Sequence, residues 1–125
     1  MASVQNEHII GLTAGEDLSA KQYYLGKVST AADNTVLLAG LGNDAMVILN
    51  EPASGEAASL CDAGITKVAA GAAFTRGDKL MSDATGRAIT AVGAAARHVV
   101  LVALESASGA GAVARVLVSR QGILA

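Results

Sequence analysis

Two side-chain types in this sequence could do chemistry unaided: the thiol of Cys61 and the imidazoles of His8 and His98. A thiol beside an imidazole is a nucleophile and its base, and the two need to meet only in space. No local signature accompanies them, however. Neither histidine has another His or Cys at the short intervals of a metal centre. The expectation is therefore no catalytic residue, no metal and no cofactor. As the single Cys, Cys61 has no partner for an internal disulfide and is expected to act as a small buried hydrophobe. Two strings mimic binding motifs. Gly109-Ala110-Gly111-Ala112-Val113-Ala114 follows the apolar run 99–104 in the pattern of a dinucleotide-binding turn. That unit needs an acidic residue about 20 positions on, plus a helix and a second strand. No Asp or Glu follows Glu105, so a glycine-rich hairpin loop is expected. Arg76-Gly77-Asp78 matches the tripeptide that integrins recognise, but a turn using Gly77 at positive φ is the simpler expectation. Neither a G-x-S-x-G elbow nor a Walker-type phosphate loop occurs.

The elements around these residues follow from a rhythm of short β-branched runs, broken by Gly, Asp, Asn or Ser every eight to twelve residues. This predicts an all-β domain with strands at 22–29, 35–38, 45–50, 57–62, 65–70, 79–82, 87–91, 99–105 and 112–119. The last of these alternates, with Ala112, Ala114, Val116 and Val118 on one face and Val113, Arg115, Leu117 and Ser119 on the other. Asp83-Ala84-Thr85-Gly86 joins 79–82 to 87–90 as a hairpin, with Gly86 at the left-handed position. The stretch 90–97 reads as a loop or short helix.

Of the 125 residues, 52% are hydrophobic, but 27 are Ala and only three are aromatic. The core must be aliphatic and thin, and there is little material for stacking nucleic-acid bases or sugars. Nine Lys and Arg against eleven Asp and Glu create no basic field for nucleic acid or an anionic membrane. The low charged fraction, 16%, against about 25% in average soluble proteins, points to a surface partly covered by partners. The longest stretch free of charge and His is 34–43, well short of the roughly 20 apolar residues a membrane helix needs. Residues 1–11 lack the basic and apolar regions of a secretory signal.

The string Ala14-Gly15-Glu16-Asp17-Leu18-Ser19-Ala20-Lys21-Gln22-Tyr23-Tyr24, followed by Val36-Leu37-Leu38-Ala39-Gly40, resembles the opening of the bacteriophage capsid decoration, or cement, proteins. Pro52-Ala53-Ser54-Gly55-Glu56-Ala57-Ala58 is similar to a loop of that family, and Gly64-Ile65-Thr66-Lys67-Val68-Ala69-Ala70-Gly71 to its central strand. The hairpin at 77–86 and the strand at 99–105 follow in the family's order, so the resemblance spans 13–118.

The resemblance implies a small β-sandwich or barrel, β-tulip-like, that binds the outside of an icosahedral head as a homotrimer and stabilises it. The major capsid protein would be its partner, without nucleic acid or membrane. Its location would be the outer surface of the virion, and the host cytoplasm before assembly. Residues 1–12 are expected to be an extended arm, loosely held in the free protein, ahead of a single β domain over 13–125. Within the arm, Val4, His8, Ile9, Ile10 and Leu12 form an apolar stretch able to add a strand to an exposed edge of the shell, the alternative being one more strand of the chain's own core. The competing reading is a β-clip module for a small ligand or carbohydrate, drawn from 73–80 ahead of the hairpin.

Overall fold

A computed structural model describes residues 8–91 and 97–124. Among these there is no helix, and nine strands occur in order: β1 (His8–Ala14), β2 (Leu25–Val28), β3 (Thr35–Leu38), β4 (Met46–Ile48), β5 (Ala57–Ala69), β6 (Lys79–Ser82), β7 (Ala88–Thr90), β8 (Arg97–Ala103) and β9 (Val113–Leu124). The spine is β5. Its first half pairs antiparallel with β1 on one side and β4 on the other, so Cys61 faces both Ile9 and Val47. β4 continues to β2, β2 to β3, and β3 pairs parallel with β1, which closes a five-stranded barrel. The second half of β5 leaves the barrel to pair with β9, and the sheet runs on through β8 and β6 to β7. A bridge between Ala70 and Ala88 ties that last strand back to the end of β5.

The strands expected at 57–62 and 65–70 are thus one strand. Ala63-Gly64 reads locally as a break. In the fold, Gly64 takes φ 101° and still pairs with Val118. Its positive φ redirects β5 from barrel to sheet without ending it. β2 begins later than expected because Tyr23 adopts φ 67°. The Tyr23 amide donates to the Ile48 carbonyl, while its own carbonyl accepts from Ala69 N.

Period-two alternation sorts the apolar residues into two cores. Met46, Ile48, Ala58 and Leu60 point into the barrel with Val36 and Ala14. Their strand neighbours Val47 and Cys61 point outward, join Leu25, and meet Val68, Leu80, Leu101 and Val116 of the sheet. One wall of the barrel therefore serves both cores. Gly26 permits this, since a Cβ there would come within 2.8 Å of Val36 Cγ2 inside the barrel. Further links hold the halves together: Gly42 N donates to the Ser82 carbonyl, and Leu25 N to the Gly86 carbonyl.

Residues 8–12 are not a loosely held arm but most of β1, bonded into the chain's own barrel along β5 from His8–Ala63 to Thr13–Ala57. The apolar spacing that suggested a strand for a foreign edge fits this chain's own open edge, and pairing there packs the half-buried Ile10 and Leu12 against the barrel core. A boundary at residue 12 falls inside this strand. Residues 1–7 and 92–96, including most of the loop-or-helix stretch, lie outside the described residues.

Candidate functional site

Cys61 is fully buried in the core between barrel and sheet, where its thiol donates to the Ala63 carbonyl at 3.1 Å. A reactive thiolate requires access to solvent and a neighbouring positive charge, and this position supplies no access. His98, on β8, holds Nδ1 3.1 Å from the Gly42 carbonyl while its backbone N–H donates to the same oxygen. Both contacts fasten the β3–β4 loop to the sheet. The two mimic motifs are turns. Gly77 has φ 90°, and Asp78 accepts from Thr75 N through Oδ2 at 2.9 Å. Gly111 has φ 88° in the β8–β9 connection. In the β6–β7 hairpin, Asp83 Oδ1 accepts from the Thr85 and Arg87 amides and from the Thr85 hydroxyl, with Gly86 at φ 78°. Among the described residues no cluster of three or more His, Cys, Asp or Glu could hold a metal ion.

The five residues expected to touch a shell are divided by the fold. Val4 lies outside the described residues. Ile10 and Leu12 face the barrel core. Ile9 points outward and is 55% exposed. His8 is also exposed, with Nδ1 2.5 Å from Asp62 Oδ1. What remains available for contact on β1 is thus one outward apolar residue and an imidazole–carboxylate pair at the start of the strand.

A second outward surface was missed from sequence. The outer face of the sheet carries a transverse row in which Ile65 on β5, Leu117 on β9 and Val102 on β8 lie side by side. Lys79 of β6 ends the row. In the adjoining row Lys67 stands directly opposite Arg115, and beyond them lies Val113, 51% exposed. The alternation of 113–119 already put Val113, Arg115 and Leu117 on one face. Only the tertiary structure shows that the opposite face is the one covered.

Charge divides at the same pivot. Up to residue 63 the sequence holds two Lys or Arg and eight Asp or Glu; from residue 64 it holds seven and three. On the barrel side, exposed Glu16, Asp17, Asp33, Glu51 and Glu56 sit in loops around the end of β1. Hydrogen bonds bring the loops together: Thr13 N donates to Asn34 O, Ala14 N to Glu56 O and Leu18 N to Pro52 O. Bonds from the Ser19 side chain and amide hold the Asp17 carboxyl below the usual carboxylate range. The molecule thus presents an acidic rim on the barrel and a cationic, apolar face on the sheet. Such surfaces are suited to binding a macromolecule, by area and charge.

No protein-family model matches the chain, and no curated protein sequence does. Among solved structures, the N base of head fiber gp8.5 of bacteriophage phi29 superposes with a TM-score of 0.72 at 18% identity, over 96% of this chain and 100% of that one. The similarity is one of fold: this all-β chain, a closed barrel with a sheet grown from its longest strand, has the architecture of that head-fiber base.

Proposed function

We propose that the chain is a structural protein of a phage head, which acts by binding and performs no catalysis. It resides in the host cytoplasm before assembly and then sits as a homotrimer on the outer surface of the capsid, held by the major capsid protein. Nucleic acid, membrane and cofactors play no part in this role. The observation that carries the reading is the fold shared along essentially the whole length with a phage head-fiber base. The sequence resemblance to capsid decoration proteins agrees with it. So do the scarcity of charge, the buried thiol and the two outward surfaces. Stabilisation follows from linkage: a protein that binds the assembled lattice and not separated subunits shifts the equilibrium toward the lattice.

The test is to strip heads of their exterior proteins, add back the purified chain in steps, and record bound copies beside the temperature at which the heads disrupt. A cement protein raises that temperature until sites saturate. Full occupancy with no change would exclude cementing and favour the alternative of a head-fiber base, as in the phi29 protein.

A further inference from the structure

We infer that the outer face of the sheet docks onto the acidic barrel rim of a second copy of this chain, head to tail. This rests on the trimeric part of the reading above and specifies the contact that would build the trimer. Three observations carry it. First, Ile65, Leu117 and Val102 form a continuous apolar row across three strands, a face that sheets normally cover. Second, Lys67 and Arg115 are directly opposite across β5 and β9. Like charges in that position destabilise a sheet. Glu105 Oε1 accepts from the Arg115 backbone amide at 2.9 Å, but among the described residues the charge contacts between side chains are His8–Asp62 and Arg87–Asp83, and neither includes the Lys67 ammonium or the Arg115 guanidinium. Third, the charges that would neutralise them exist on the same molecule, on exposed barrel loops that carry Asp33 and Glu51.

The charge pattern also selects the geometry. Two copies placed face to face would set Lys67 and Arg115 against their own images, which like-charge repulsion opposes. Sheet face against barrel rim sets cations against carboxylates. A contact between two different surfaces of identical copies is heterologous, and it builds a closed ring of three when successive copies are related by a three-fold rotation, an open filament otherwise. A standard interface needs roughly 800 Å² from each partner. Two such patches per copy are a modest share of the 6058 Å² this chain exposes.

The experiment measures assembly of the full chain by sedimentation, with four proteins. These are the unaltered chain, a face variant (Lys67→Glu with Arg115→Glu), a rim variant (Asp33→Lys with Glu51→Lys), and the two combined. Each reversal alone is expected to weaken assembly at least about tenfold, and the combination, whose surfaces are again complementary, to restore it. Raising salt to about 0.5 M should weaken the unaltered assembly, because the exposed ion pairs are screened. Lys67→Glu alone is a fold-preserving check: it turns the like-charge pair into an opposite one within the chain, so it should keep its β-sheet circular dichroism while losing assembly. An assembled chain indifferent to both reversals would overturn this contact and leave the trimer standing. So would dissociation by the face variant alone, or failure of the combination to restore assembly. Reversals that abolish head binding but not assembly would assign the face to the shell instead. A chain that is monomeric throughout would remove the trimer and this contact together, while head binding would still be decided by the add-back experiment.

Discussion

The barrel and the sheet share β5, yet they manage exposed surface in different ways. The barrel closes on itself: β1 completes the ring between β3 and β5, and the inward residues need only each other. The sheet buries one face against the barrel wall through Leu25, Val47 and Cys61 and leaves its other face open. Closure removes edges, whereas a sheet covered on one side has a second face to satisfy. The apolar row and the facing cations Lys67 and Arg115 lie on that second face, and the carboxylate-rich loops lie on the half that needs no cover. Self-sufficiency and stickiness are thus assigned to different ends of one strand.

The most severe way to break this comparison is to empty one core at a time. Leu60→Ala in the barrel and Leu101→Ala in the sheet should each cost about 2–5 kcal/mol, since both side chains are fully buried. Because Met46–Ile48 and the first half of β5 face the two cores alternately, each variant should still unfold in one transition in urea, followed by circular dichroism. Separate barrel and sheet transitions would show that the shared wall does not couple them.

A smaller effect is expected at the pivot. Gly64→Ala forces a Cβ onto φ 101° and should cost about 1–3 kcal/mol. Gly109→Ala, where an added Cβ meets nothing within 4 Å, should stay within about 0.5 kcal/mol. Equal midpoints for the two variants in the same urea titration would mean that β5 turns without needing glycine.

The smallest effect concerns the barrel rim. The Asp17 carboxyl is held by Ser19 below its ordinary value of 3.8. Its folded pKa lies beneath the unfolded one, so its contribution is fully present above the unfolded value and fades as pH falls through the folded one. Melting temperature measured from pH 6 down to about pH 2 should therefore drop slightly less in Asp17→Asn than in the unaltered chain. An identical acid-side slope would show that the Ser19 bonds are not kept in solution.

Much of the strand content was readable because alternation and turn chemistry are local. The strands at 35–38 and 79–82 lie where the pattern put them, and the Asp83–Gly86 turn is built from its own side chains. What failed were the places where a local signal had a distant cause. Ala63-Gly64 looked like a gap between two strands but is a pivot within one, because β9 is there to receive the redirected strand. The segment 8–12 looked like an arm for another protein because nothing in it names the partner, which proved to be β5 about fifty residues later. Cys61 and His98 carried no sequence mark of their neighbours, the Ala63 and Gly42 carbonyls.

From its sequence alone this chain was bound to be an all-β domain with a thin aliphatic core, few aromatics and little charge, because composition and two-residue periodicity act on each segment separately. Closure of the barrel, the sharing of its wall and the choice of which alternating face is covered were decided only in three dimensions. Each depends on pairing between distant segments, and a two-residue alternation defines two faces without saying which one another sheet will cover.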